Sequence, residues 1–115
     1  MKSEIRIKDK REFENIIKCG KIIKNAHFVI YYKERKVSFS RFGITLSKKF
    51  GNAVKRNKYR RILREIIRNN EKKFENTYDY IIIMKKSGDS LDYLAIEHAL
   101  LNLISKVEAK WKKNT

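Results

Sequence analysis

The chain has 115 residues, 42% of them hydrophobic, which suits one compact domain over residues 1–115 with a single small core. Its 29 Lys and Arg outnumber 13 Asp and Glu for a formal net charge of +16, pointing to a polyanion, nucleic acid before an anionic membrane. No run approaches the ~18 apolar residues of a spanning helix, no secretory h-region follows Met1, and the lone Cys19 allows no internal disulfide, so a cytoplasmic protein without a membrane partner is expected.

Residues 1–8 are polar and basic and are expected to form a flexible arm. Asp9 is placed to cap a helix over 10–19, with Phe13, Ile16 and Ile17 on one face, Cys19 as an ordinary thiol at its end and Gly20 as its stop. Residues 26–32, aromatic and β-branched, predict a strand. A charged turn over 33–36 follows, then one or two strands within 37–48, with Gly43 marking a bulge or bend. A helix is predicted over 53–70, started by Asn52 after Gly51 and closed by Asn69 and Asn70. Residues 78–84 are the clearest strand, and their continuous apolar run predicts burial on both faces. After a turn at 85–89, Ser90 is expected to cap a last helix over 91–111, with Ile96, Leu100, Leu103, Ile104, Val107 and Trp111 along one side. Helix, strands, helix, strand, helix in that order predicts an α+β fold. It is a two-layer α/β sandwich on one mixed sheet, with a βαβ crossover inside 41–84.

The helix over 53–70 carries the strongest signal. Tyr59, Ile62, Leu63, Ile66 and Ile67 gather on one stripe at 3/4 spacing, while Asn57, Arg61, Arg64 and Arg68 fall near the opposite side. Arg56 and Arg60 lie on one flank and Lys58 on the other. A merely solvated helix alternates signs. Here Lys55, Arg56, Lys58, Arg60, Arg61, Arg64 and Arg68 face one acid, Glu65. That density repels itself, and a bound polyanion accounts for it. Five of the seven are Arg, whose planar fork matches phosphate. Lys48, Lys49 and the helix N-terminus at Asn52 extend the same surface.

The run Ser47-Lys48-Lys49-x-Gly51-Asn52-Ala53-Val54-x-Arg56-Asn57-x-x-Arg60-Arg61-x-x-Arg64 resembles the signature of the protein subunit of bacterial ribonuclease P, with Arg60-Arg61 where the commonest pattern has Lys-Arg. Arg11-Glu12-Phe13-x-x-x-Ile17-x-x-Gly20 and Phe28-Val29-Ile30-Tyr31 are similar to that family's first helix and strand. The resemblance implies a left-handed crossover and a cleft that receives the single-stranded 5′ leader of precursor tRNA. The matching positions are Phe13, Ile17, Val29 and Tyr31, with Ile17 standing where an aromatic is often found. It implies that Lys48, Lys49, Asn52, Lys55, Arg56, Asn57, Lys58, Arg60, Arg61, Arg64 and Arg68 meet the ribonuclease P RNA. The resemblance further implies that this RNA performs the hydrolysis with bound Mg2+; the protein is expected to hold no metal itself, and no protein partner is predicted.

The residues' own chemistry agrees that the chain binds rather than cuts. His27 and His98 are far apart in sequence and beside no nucleophile, the acids are scattered, and no phosphate-cradling loop is present. A metal-dependent nuclease groups carboxylates around ions ~4 Å apart, and no such grouping is legible. Aromatic faces beside a basic groove hold single-stranded nucleic acid without sequence readout. A general or ribosomal RNA-binding protein is the alternative reading.

Overall fold

In the computed structural model, which describes residues 6–7, 9–34, 40–71 and 78–113 with last-helix side chains to Val107, one strand ties the sheet together. Strand β4 (Tyr78–Met84) pairs antiparallel with β2 (Phe28–Glu34) and parallel with β3 (Arg41–Leu46). Strand β1 (Lys21–Lys24) lies antiparallel along the outer side of β2, giving the mixed order β1-β2-β4-β3. All of β4 is buried except half-buried Ile83, as its apolar run predicts.

Side-chain alternation sorts the sheet into two faces. Phe28, Ile30, Tyr32, Phe42, Leu46, Tyr80, Ile82 and Met84 point to one side, where α2 (Ala53–Asn69) and α3 (Tyr93–Lys113) cover them. The stripe of α2 is the expected one: Tyr59, Leu63, Ile66 and Ile67 are buried and Ile62 half-buried. Each fully buried apolar side chain contributes roughly 1.5–3 kcal/mol, so this interface dominates the fold's stability. The predicted two-layer sandwich is this sheet with α2 and α3. Helix α1 (Lys10–Cys19) crosses the other face, where Ile16, Ile7 and Ile81 form a second, smaller cluster with Phe13, Tyr31 and Ile83.

Several boundaries follow from caps. Asp9 accepts from the Arg11 N–H at 2.7 Å and Asn52 from the Lys55 N–H at 3.0 Å, starting α1 and α2 as predicted. Gly51, at φ 116°, takes a backbone conformation that L side chains rarely adopt, turning the short 3-10 helix Lys48–Phe50 into the start of α2. The last helix corrects the expectation for Ser90: Asp92 is the cap, accepting from the Ala95 N–H at 2.8 Å, while Ser90 donates to the Ser87 carbonyl. The turn predicted at 85–89 is largely a second 3-10 helix, Lys86–Ser90.

Gly43 is another correction. It marks no bulge, but pairs regularly with Ile81 inside β3, and a Cβ there would lie 2.7 Å from the Phe13 ring. The glycine is where α1 seats its aromatic side chain. Strand β1 was not predicted at all. Three of its four residues are exposed, so burial imposes no alternation on its sequence. The expected arm is anchored at its end: Arg6 bridges Phe42 in parallel, the Ile7 N–H donates to the Phe42 carbonyl at 3.0 Å, and Ile7 is buried. Residues 1–5, 8, 35–39 and the Trp111 side chain lie outside the described residues.

Candidate nucleic-acid interface

The basic residues of α2 divide into those bound within the fold and those left to the surface. Lys55 is paired with Asp89, beside the Tyr59 hydroxyl, which donates to the Asp89 backbone carbonyl at 3.1 Å. Arg56 donates to the Ser47 carbonyl at 2.8 Å, tying α2 to the segment that leaves β3. Both predicted contacts are therefore already engaged inside the chain. Asn57 accepts from Arg60 at 3.1 Å, which orients that guanidinium without neutralising it. Lys48, Lys49, Lys58, Arg61 and Arg68 are exposed.

Arg60, Arg61, Arg64 and Arg68 form no ion pair among the described residues. Two contiguous hollows open between them. One, of about 490 Å3, is lined by Asn57, Arg60, Arg61 and Arg64. The other, of about 370 Å3, is lined by Arg61, Arg64, Glu65 and Arg68 together with Arg6. Partial burial pushes the Arg64 pKa down, and the like charges of Arg6 and Arg60 push it the same way. A guanidinium so placed gains from an incoming anion. Sequence reasoning missed Arg6, although apolar–basic alternation at Ile5-Arg6-Ile7 is a strand signal that could have found it.

The predicted leader-binding residues meet on the opposite face of the sheet. Pairing sets Gly43, Ile81, Tyr31 and Ile22 in one row, and Thr45, Ile83, Val29 and Lys24 in the next, both facing α1. Phe13 and Tyr31 pack against Ile7, Ile16 and Ile81, and Val29 is half-buried. Ile17, one helical turn beyond Phe13, remains 37% exposed. Ile22 on β1 is 52% exposed beside Tyr31, so the apolar strip reaches the sheet edge through residues the sequence did not single out. Lys24 flanks it.

At the other end of this face Arg41 binds three carboxylate oxygens. Its Nε and Nη2 donate to Asp79 and its Nη1 to Glu12 Oε2 at 2.8 Å, joining β3, β4 and α1. These hydrogen bonds, led by that to Asp79, raise the Arg41 pKa. Five acids serve structure: Asp9 and Asp92 cap helices, Glu12 and Asp79 hold Arg41, and Asp89 holds Lys55. Among the described residues no three His, Cys, Asp or Glu converge as a metal site. His27 Nδ1 lies 3.0 Å from the Ser87 hydroxyl, and exposed His98 sits on α3.

A family model described as Ribonuclease P matches residues 1–108. The ribonuclease P protein component of Streptococcus agalactiae serotype Ia is 38% identical over 104 residues, which cover 90% of this chain and 94% of that protein. That of Mycoplasma mycoides subsp. mycoides SC is 40% identical over 109 residues, covering 94% of this chain and 100% of the relative. A solved structure of a Staphylococcus aureus RNase P protein mutant with defective mRNA degradation activity aligns at a TM-score of 0.84 and 32% identity, over 91% of this chain and 89% of that one.

Proposed function

The chain belongs to the ribonuclease P protein family, and on that premise we propose that it binds the catalytic RNA subunit and the 5′ leader of precursor tRNA, assisting endonucleolytic removal of the leader in the cytoplasm. The observation that carries this reading is the division of labour between the two faces of one sheet. On one, arginines of α2 that form no ion pair among the described residues surround hollows of phosphate-binding character. On the other, α1 and the strands leave a half-buried apolar and aromatic strip.

Each surface suits a different feature of RNA. Arg60, Arg61, Arg64 and Arg68, with Lys48, Lys49 and Lys58, neutralise backbone phosphates and release counterions, which makes affinity steeply salt-dependent. Phe13, Val29 and Tyr31, with Ile17 and Ile22 beyond them, offer apolar surface to unstacked bases, worth roughly 1–3 kcal/mol per base where an aromatic face is used. Lys55, Arg56 and Asn52 hold the N-terminal turn of α2 in shape beneath the RNA.

The protein's described donor set does not fit a Mg2+ site: no three possible ligand side chains converge among the described residues, and Asp9, Glu12, Asp79, Asp89 and Asp92 are taken by helix N–H groups or cations. In this reading Mg2+ and the hydrolytic step belong to the RNA subunit, and the protein contributes binding and orientation.

Cleavage of a 5′-extended precursor tRNA at near-physiological Mg2+ tests the proposal, with protein alone, a bacterial ribonuclease P RNA alone, and the two mixed. Cleavage at the mature 5′ end that appears or strengthens only on mixing is the expected result. Cutting by protein alone, or tight RNA binding with no stimulation, overturns it; the latter favours a general RNA-binding role.

A further inference from the structure

The segment entering the fold crosses the edge of the sheet, and its two described residues go to opposite sides. Ile7 is buried in the small cluster beneath α1, against Ile16 and Ile81. In extended backbone the neighbouring side chain points the other way. Arg6 pairs with Phe42, whose own ring lies on the α2 side, and its guanidinium lines the same hollow as Arg61, Arg64 and Arg68. A residue distant in sequence from the basic helix is thus carried to it by one β-bridge and one buried isoleucine.

We propose that Arg6 completes, with Arg61 and Arg64, a cleft that clasps one phosphodiester group of the RNA subunit. This rests on the reading of the α2 surface given above and deepens it. Three arguments support the clasp. The hollow, of about 370 Å3, has room for a tetrahedral anion with its hydration. Among the described residues its four arginines share one neighbouring acid, Glu65, and none forms an ion pair with it. Folding alone gives no reason to bring a further positive charge up to Arg64, whose protonated form Arg6 already disfavours. A backbone phosphate removes that repulsion, and guanidinium forks from two elements fix its position better than one helix face can. The source is assigned to the RNA subunit rather than the leader because the hollow lies on the α2 side, across the sheet from the apolar strip.

The test measures affinity of the full chain for ribonuclease P RNA across a monovalent-salt series, for wild type, Arg6→Gln, Arg6→Lys and, as a remote control of equal charge loss, Lys106→Gln on the exposed side of α3. The bridge to Phe42 uses backbone, so Arg6→Gln should leave the fold intact. Arg6→Gln is expected to weaken binding about 3–10-fold at moderate salt and to reduce the slope of log K on log salt by about 0.9. Arg6→Lys should restore the slope but only part of the affinity, and Lys106→Gln should change neither. Equal behaviour of Arg6→Gln and Lys106→Gln overturns the clasp while leaving the proposed function standing. A loss confined to precursor tRNA binding by the assembled complex overturns the assignment to the RNA subunit. No salt-dependent binding by wild type removes both readings.

Discussion

Arg41 and Asp79 face one another across the parallel β3–β4 pair and share two parallel hydrogen bonds, Nε to Oδ1 and Nη2 to Oδ2, each 3.0 Å long. The carboxylate belongs to a residue only 7% exposed, and the third guanidinium donor reaches Glu12 on α1. This fork fixes α1 over the sheet and hence the spacing between Phe13 and Tyr31. Arg41→Gln should cost about 2–4 kcal/mol, somewhat less than the ~3–5 kcal/mol of breaking a fully buried pair, because both side chains keep some solvent contact. On the proposed function, it should also reduce the dependence of precursor binding on leader length, with affinity for the RNA subunit unchanged. Urea denaturation and binding of precursors with graded leaders check both; an intact leader-length dependence in a destabilised variant would separate the fork from the groove.

The Lys55–Asp89 pair yields a pH prediction. Lys55 donates to the Asp89 carboxylate and holds its pKa below the usual carboxylate range, with the Coulomb attraction of Lys55, the Tyr59 hydroxyl and the charge of Lys86 acting the same way against a smaller opposing effect of burial. A pKa depressed in the folded state adds stability that is fully present above the unfolded value near 4 and disappears as pH falls through the lower folded value. Below about pH 4, wild type should therefore lose stability more steeply than Asp89→Asn, and the two profiles should run parallel from pH 5 to 7. Urea midpoints taken through this range decide it. Parallel profiles throughout would mean the pair contributes nothing on folding.

What the sequence made legible follows the strength of burial. The stripe of α2 and the run of β4 were readable because nearly every position there is decided by burial, on one side for the helix and on both faces for the strand, and the caps Asp9 and Asn52 because their chemistry is local. Gly43 was misread because its cause is tertiary: only once α1 lies over β3 does the Phe13 ring occupy the space of a Cβ. Ser90 does not cap the last helix because it belongs to the second 3-10 helix, whose end the sequence does not mark. Strand β1 is an exposed edge and leaves little pattern. At the site, the arginine face was legible as charge density, but not which cations the fold consumes. Lys55 finds its acid 34 positions away, and Arg56 a carbonyl in the connection from β3.

That last distinction separates two neighbouring arginines of one motif. Arg56 is half-buried and donates to the Ser47 carbonyl at 2.8 Å; truncation leaves that carbonyl with the Phe50 N–H alone at the point where β3 hands the chain to α2. Arg56→Ala should destabilise the fold by about 1–2 kcal/mol, near the lower end of what a hydrogen bond to a charged group contributes, because the carbonyl keeps a second donor. Arg61 is exposed and lines the hollows it shares with Arg64. Arg61→Ala should leave stability within about 0.5 kcal/mol of wild type, or raise it by relieving like-charge repulsion. It should nonetheless weaken binding to the RNA subunit and lower the salt slope by about 0.9. Thermal unfolding of the isolated protein and salt-dependent binding, run on both variants, give a two-by-two outcome. A lowered slope with unchanged stability in Arg56→Ala would return Arg56 to the RNA-contacting set. An unchanged slope in Arg61→Ala would remove Arg61 from it, and with it the phosphate-binding reading of the hollow between Arg61 and Arg64.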